Sequence, residues 1–353
     1  MKNRIKVVEI ISDTNFGGAG QYLKSIVEEI DKERFDLTVI MPVGSVLKDM
    51  LGDIPIEHCR DINEKSFSFK GTCHLCKMMK MIRPSVVHTH GSLSGRLAAQ
   101  LLGVRNIVYT KHTLSDNSVL WKRKLKKILN SALRAKVIAI SASVKLNLIE
   151  EGIKEDNIRM IYNGIRPIET FDNETRLIPI ITLVGRLEAI KGHRHMIEIT
   201  RQLVDCYDED FEVRFVGSGS LESTLKDIVT DYGLPISFSG HVSNIGEIYE
   251  TSDIIVNTSD SEALSYAALE AMIHKKPVVA FDIPGINEVI ENGKTGFLVD
   301  YKNYGLFAEC LVQLLSNNTL RRNMGELGRK RAIDKFSLKE MINGIETLYM
   351  EEL

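Results

Sequence analysis

Along the chain, short runs of β-branched and apolar residues alternate with longer stretches in which apolar positions recur at i, i+3, i+4 and i+7. In the first half the runs are IKVVEIIS (5–12), LTVIMP (37–42), IPIEHC (54–59), SVVHTH (85–90), NIVYTKH (106–112), KVIAIS (136–141) and IRMIY (158–162). Amphipathic stretches such as QYLKSIVEEI (21–30) and SGRLAAQLL (94–102) separate most of them. This alternation predicts strands of a parallel sheet covered by helices. From 164 to 178 the pattern stops: GIRPIETFDNETRL is polar, holds a proline and has no clear period, as a linker would. It then restarts with IPIITLVG, VRFVG, ISFSG, DIIVNTS, KPVVAFD and GFLVD as strands and HMIEITRQLV, LESTLKDIV and IGEIYE as helices. Three helical stretches close the chain, ending in SLKEMINGIETLYMEEL. The expected architecture is α/β, two doubly wound Rossmann-like domains facing a cleft. Its limits are 1–168, 169–335, and a final helix over 336–353 packing back on the first domain. Ligands of such sheets bind beyond the carboxyl ends of the strands.

Composition adds little until charge is split by position. The 353 residues carry a net charge of −2, yet residues 1–170 hold 27 Lys and Arg against 18 Asp and Glu. Between Glu64 and Glu150 the only acid is Asp116, against 16 basic residues. An anionic partner for the first half follows. The richest segment is LWKRKLKKILNSALRAK (120–136), with Leu125, Ile128, Leu129, Ala132 and Leu133 on one face. Two readings stand: a helix packed on its sheet with a solvated basic side, or a helix on an anionic membrane with Trp121 at the headgroups. No aromatic platform or known motif interleaves the basic residues, so nucleic acid is not expected. No apolar run reaches bilayer length, and the N-terminal run reads as a strand instead of a signal peptide. Five scattered cysteines (59, 73, 76, 206, 310) suit a reducing cytoplasm. Cys73-His-Leu-Cys76 lacks a second ligand pair, and Leu75, Met78, Met79 and Ile82 make its segment an ordinary packed helix.

The candidate chemistry sits on strand-to-helix turns of the second half. Arg186 and Lys191 follow one strand in VGRLEAIKG, and Ser218-Gly219-Ser220 follow the next. After DIIVNTS comes SDSEALSYAALEAM, with Glu262 and Glu270 eight apart in small or apolar company. Ile283-Pro284-Gly285 follow the last turn. Two cations and several helix starts make a diphosphate site. With a helix starting near Leu264, the N–H groups of Leu264, Ser265 and Tyr266 are free donors for phosphate oxygens. The flanking carboxylates can then accept from sugar hydroxyls. The spacing equally allows a surface Glu262 and a structurally paired Glu270.

Several stretches together resemble a known family. EALSYAALE is similar to the E-x7-E motif of retaining glycosyltransferases of family 4, which have the GT-B fold, and VGRLEAIKG to that family's Arg and Lys element. FVGSGSLESTL, the segment from Phe238 to Glu262, EAMIHKKPVVAFDIPGINEVI and NGKTGFLV follow in the family's order. NFGGAGQYL, VVHTHG, IAISASVKLNL and IYNGI fit in the first half. The resemblance implies transfer of a sugar from a nucleotide-diphosphate sugar to a glycan or lipid-linked acceptor, in surface polysaccharide or glycolipid synthesis, on the cytoplasmic side of the membrane. Arg186 and Lys191 would hold the diphosphate, Glu270 the ribose and Glu262 the sugar. Gly17, Gly18, Gly217, His241, Val242, Leu264, Ser265 and Tyr266 would complete the donor contacts. His112 would stand near the sugar, unless it is a plain strand-end histidine. His88, His90 and Asn163 would serve the acceptor, although a structural role fits the two histidines as well. No cofactor and no metal is implied. Asp208-Glu209-Asp210 has the form of a DxD metal motif, but it precedes a strand and reads as a solvated turn.

Two positions depart from the family pattern: Ala263 and Pro284 stand where glycines are usual. Three other readings compete. A nucleotide-sugar epimerase would convert the donor with no acceptor. A dinucleotide oxidoreductase would want a third glycine after Gly18-Ala-Gly20 and an acid closing the second strand, and both are missing. A non-catalytic binding protein has no need of the Arg186, Lys191, Glu262 and Glu270 set.

Overall fold

The computed structural model of the chain describes residues 4–15, 17–64, 66–115, 119–169 and 176–351, with the side chain of Lys122 also outside that description. Residues 170–175, within the expected linker, and Phe16 of the glycine loop therefore lie outside it. Two compact units divide the chain: Met1–Gly164 with Leu338–Leu353, and Ile165–Ser337.

The first unit holds β1 (Ile5–Ile11), β2 (Phe35–Pro42), β3 (Ile56–Cys59), β4 (Val86–His90), β5 (Asn106–Lys111), β6 (Lys136–Ala139) and β7 (Ile158–Met160). They form one parallel sheet in the order β3-β2-β1-β4-β5-β6-β7. The third strand starts at Ile56, two residues later than its sequence run, because Pro55 has no N–H for the ladder. Its helices are α1 (Gly18–Glu29), α2 (Phe69–Ile82), α3 (Leu93–Leu101), α4 (Leu120–Ala132) and α5 (Ala142–Glu150). Ser68, Ser92 and Ser141 open α2, α3 and α5, each hydroxyl accepting an N–H three residues on. Leu75 and Met79 of α2 pack with Val8, Ile10, Ile40, Val87 and Ile107 of the sheet. Cys73 is exposed and Cys76 half-buried beside that stripe.

The second unit repeats the scheme with β8 (Ile180–Val184), β9 (Glu212–Val216), β10 (Ile236–Gly240), β11 (Ile254–Asn257), β12 (Val278–Phe281) and β13 (Gly296–Val299). Their order is β10-β9-β8-β11-β12-β13, again all parallel. The helices are α6 (His193–Cys206), α7 (Glu222–Tyr232), α8 (Ile245–Glu250), α9 (Tyr266–Ile273), α10 (Ile286–Val289), α11 (Tyr304–Leu315) and α12 (Asn318–Lys335). The chain then returns to the first unit as α13 (Leu338–Met350). Asn106 of β5 anchors its end, donating to the carbonyls of Leu348, Tyr349 and Glu351 at 2.8, 3.0 and 2.8 Å. In each sheet the strand order reverses once, at β1/β4 and at β8/β11. Both sheets are therefore Rossmann-like, and the switch points are where such sheets open a crevice for ligand.

Candidate active site

The chain leaves β8 at Val184 and runs through Gly185–Gly192. Arg186 is exposed in this loop. Glu188 turns toward the end of β9, accepting from the Ser220 N–H (2.9 Å) and hydroxyl (2.8 Å), bonds that hold its carboxyl below the usual range. A single 3-10 turn, Ala189–Lys191, closes on Gly192 at φ +68°. A Cβ at 192 would lie 1.8 Å from the Thr258 carbonyl oxygen, so the approach requires glycine. Thr258 Oγ1 donates to the Gly192 carbonyl (2.9 Å), and the Asp260 N–H donates to the Ile190 carbonyl (2.9 Å). These bonds clamp together the loops that follow the neighbouring strands β8 and β11.

Across that clamp Lys191 Nζ meets Glu262 Oε1 at 2.6 Å. Glu262 is only 8% exposed. Its Oε1 also accepts from Ser259 Oγ (2.8 Å) and Asn257 Nδ2 (3.3 Å). The acid is therefore an interior group with one oxygen held by three donors, and not a surface one. Asn257 donates as well to Ser265 Oγ (3.1 Å), and Ser265 accepts the Ala268 N–H (3.3 Å) as N-cap of α9.

That cap corrects the expected helix start. The helix begins at Tyr266, not Leu264, because Ser265 carries the oxygen a cap needs and Leu264 does not. The first N–H groups of the helix are thus those of Tyr266 and Ala267, while Leu264 and Ser265 precede it. Leu264 and Ala263 are buried.

Glu270 lies on the second turn of α9 and is half-buried. Tyr249 Oη donates to it at 2.8 Å, and the Tyr249 ring stacks on His274 at 5.2 Å. Desolvation pushes the Glu270 carboxyl up to about 7, against the downward pull of the tyrosine bond. Around these groups, Gly217 donates its N–H to Gly240 (2.8 Å), His241 is exposed and Val242 is half-buried. Gly285, in the loop after β12, has φ +88°. A Cβ there would sit 2.4 Å from the Glu262 carbonyl oxygen, so this glycine seats the loop after β12 on the Glu262–Ala263 backbone.

In the first unit, Gly17 is the N-cap of α1 and Gly18 its first residue, both exposed. His88, expected to serve an acceptor, has no exposed surface, and His90 has 3%. Glu9 of β1, also 0% exposed, binds both: His90 Nε2 lies 2.9 Å and His88 Nδ1 3.1 Å from Oε2. Tyr349 Oη donates to Glu9 Oε1 (2.5 Å), and Thr110 Oγ1 meets His88 Nε2 (2.7 Å). His112, just past β5, places Nε2 3.0 Å from His90 Nδ1. Glu9, His88 and His90 are the group among the described residues whose ligand atoms would suit a metal ion. Their 2.9 and 3.1 Å separations are those of direct hydrogen bonds. Asn163 is 2% exposed, and its Oδ1 meets no hydrogen-bond donor among the described residues. Asp208, Glu209 and Asp210 are exposed just before β9, at the edge of the sheet remote from the strands' carboxyl ends.

Sequence reasoning missed Glu9, Asn257, Ser259, Tyr249 and Tyr349. Only Glu9 left a signal: an acid inside a strand whose neighbours are apolar on both faces.

Helix α4 turns its polar side inward. Lys126 bonds Glu151 (2.8 Å), Arg96 bonds Asn130 (3.2 and 3.3 Å), and Gln100 donates to the Ala132 carbonyl (3.0 Å). Leu120, Trp121, Leu125, Ile128 and Leu129 face solvent, with Trp121 64% and Ile128 65% exposed. The packed alternative required these apolar residues to lie against the sheet, and they do not. No described helix is long and apolar enough to cross a membrane.

Two family models match the chain: "Glycosyltransferase Family 4" over residues 16–168 and "Glycosyl transferases group 1" over 169–331. A similar curated protein is the Escherichia coli UDP-Gal:alpha-D-GlcNAc-diphosphoundecaprenol alpha-1,3-galactosyltransferase, 26% identical over 99% of this chain and 97% of that one. Another is the Staphylococcus aureus capsular polysaccharide biosynthesis glycosyltransferase CapM, 24% identical over 93% of each. Among solved structures, Anabaena HepE in complex with UDP and glucose superposes with a TM-score of 0.84 at 20% identity, over 98% of this chain and 99% of that one. A Rickettsia africae glycosyltransferase gives 0.81 at 24% identity, over 99% and 98%. At these identities the structural likeness speaks to the fold.

Proposed function

We propose, since the chain belongs to the GT-B-fold glycosyltransferases, that it moves a sugar from a nucleotide-diphosphate sugar to a glycan or lipid-linked acceptor with retention of configuration. The observation that carries this reading is the Lys191–Glu262 pair, clamped at the β8/β11 switch point with Arg186 exposed in the same loop. Lys191 and Arg186 are the cations for the diphosphate, and charge building on the leaving nucleotide is met by them. Glu262 both steadies Lys191 and stands ready to accept from a sugar hydroxyl. Glu270 accepts from the ribose. The residues present supply positive charge without requiring a metal. The Escherichia coli relative is named for UDP-Gal, and HepE was crystallised with UDP and glucose. Both support a uridine diphosphate sugar as the first donor to test.

The setting we propose is the cytoplasmic membrane surface, in polysaccharide or glycolipid synthesis, with α4 laid on anionic lipid. Its apolar side points outward, and Lys124 and Lys127 are exposed beside it. The test supplies labelled nucleotide sugars to the protein with lipid-linked acceptors in vesicles. Labelled lipid product is expected only when donor and acceptor are both present. Isomerised donor without acceptor would mark an epimerase and overturn the reading. In flotation at low salt, about fivefold more protein should rise with anionic than with neutral vesicles, and Trp121→Ser with Ile128→Ser should remove the difference. Equal recovery from both vesicle types would end the membrane part.

Glu270 gives this site a pH dependence. Hydroxyls donated by a ribose favour its ionised form, so binding lowers a pKa that stands at about 7 in the free protein. Nucleotide binding then releases a proton, and affinity falls as pH drops below 7, by up to about tenfold per unit. In the free protein the same carboxyl keeps its proton when the unfolded chain has lost it. Its contribution to stability therefore declines as pH rises from the ordinary 4.5 through 7. Calorimetric titration with UDP at pH 6 and 8 should show the affinity change in the wild type and lose most of it in Glu270→Gln. An equal pH dependence in both would exclude Glu270 from the ribose contact.

A further inference from the structure

We propose that Glu9, acting through His90, fixes the tautomer of His112 so that His112 Nδ1 is a bare acceptor for a hydroxyl of the sugar substrate. Glu9 and His90 are then positioning residues, and the inference rests on the glycosyltransferase reading above.

The hydrogen-bond chain has one direction. Glu9 has no exposed surface, and desolvation by itself would raise its pKa. The N–H groups that His88 and His90 direct at it outweigh this and hold the carboxyl well below the usual range. An ionised carboxylate only accepts. The His90 nitrogen 2.9 Å from it, Nε2, must therefore carry a proton. Burial lowers the pKa of His90, so the ring is neutral and its Nδ1 is a lone pair. The atom 3.0 Å from that lone pair is His112 Nε2, which must donate. Burial also holds His112 well below its ordinary range, so its ring is neutral too and its Nδ1 is unprotonated.

That last atom is the anomaly. His112 Nδ1 is buried and has no hydrogen-bond partner among the described residues. Leaving a buried polar atom unpaired is costly, and such atoms call for an explanation. This one lies just past the carboxyl end of β5, at the sheet edge where α/β folds take ligands. A substrate hydroxyl donating to this nitrogen would satisfy it.

The surroundings hold the two rings in place. His90 and His112 stack with centroids 5.2 Å apart, and Tyr22 of α1 stands edge-on to both at 5.8 and 4.9 Å. Tyr349 of α13 donates to the other oxygen of Glu9. His88 of β4 lies against Tyr349 Oη (2.6 Å) and takes the Thr110 hydroxyl of β5 on its far nitrogen. Glu346 of α13 adds a further negative charge facing Tyr349. Among these groups the carboxylate of Glu9 is the one bonded directly to the His90–His112 pair. Removing its charge makes both rings harder to protonate.

Nitrogen-15 NMR of the nine histidines in the free protein tests the assignment without any turnover. His112 is expected to show an unprotonated Nδ1 and a protonated Nε2. The opposite tautomer overturns the proposal, and so does stoichiometric metal bound by Glu9, His88 and His90. His90→Leu removes the link, so His112 should become a tautomer mixture and kcat/KM for sugar transfer should fall about tenfold, the effect of one hydrogen bond. Glu9→Gln keeps the size of the side chain and should shift the acidic limb of the kcat/KM profile to lower pH. A limb that stays in place or moves to higher pH in Glu9→Gln counts against the relay. Should no sugar transfer be found with any donor, the functional reading fails and the NMR result still decides the tautomer.

Discussion

Lys191→Ala is expected to abolish most of the thermal stabilisation that nucleotide diphosphates give the protein and to slow sugar transfer about 10²- to 10³-fold. The magnitude is that of removing one preorganised group from the place where transition-state charge collects. Two effects of the deletion add. The diphosphate loses a cation that the clamped β8 and β11 loops hold in place before ligand arrives. Glu262, 8% exposed, also loses its counter-charge and keeps only Ser259 and Asn257 as donors. Leaving one member of a buried pair alone is destabilising by several kcal/mol. Here Lys191 is partly solvated, so a loss of about 1–2 kcal/mol is expected. Ligand at a hundred times its Kd stabilises the wild type by about 2.7 kcal/mol. A melting series with UDP therefore separates the two effects: a lower starting Tm, and a ligand shift close to zero. An undiminished shift in Lys191→Ala would take Lys191 out of the site.

Gly192→Ala is expected to cost more stability than any exposed substitution nearby, although it adds one methyl group. The residue is held at φ +68°, and the new Cβ would fall 1.8 Å from the Thr258 carbonyl oxygen. Backbone faces backbone there, so no side chain can swing aside. Either the 189–192 turn opens or the β11 loop retreats, and both movements carry Lys191 away from Glu262. The strained conformation and the steric overlap together are worth about 3–5 kcal/mol. For a unit of this size that is roughly a 10 °C fall in Tm. Scanning calorimetry of the variant measures it, and UDP binding should weaken in parallel. A variant with wild-type Tm and affinity would show that the two loops are not clamped as described.

Much of this arrangement could be read before the fold was known. Lys191, Glu262 and Glu270 were visible because each follows a strand at a short, fixed distance, where local pattern is enough. The companions of those residues were not. Tyr249 reaches Glu270 from another helix, and Asn257 and Ser259 look like ordinary strand-end polar residues until Glu262 folds back over them. The helix start moved from Leu264 to Tyr266 because a cap is decided by one side-chain oxygen, which periodicity does not register. For His88 and His90 the strand-end position leaves an acceptor contact and a structural role equally open. Their burial depends on Glu9 and Tyr349, residues 340 positions apart.

By itself the sequence determined the alternation of strands and helices, the two parallel sheets, and which turns carry charge. Those features depend on hydrophobic period and on neighbours a few residues away. The tertiary structure alone decided which groups share a proton or a charge. It joined Lys191 to Glu262, turned the apolar side of α4 to solvent, and strung Glu9, His90 and His112 into one chain. Such contacts depend on distances between residues remote along the chain, set only when the strands take their order in the sheet.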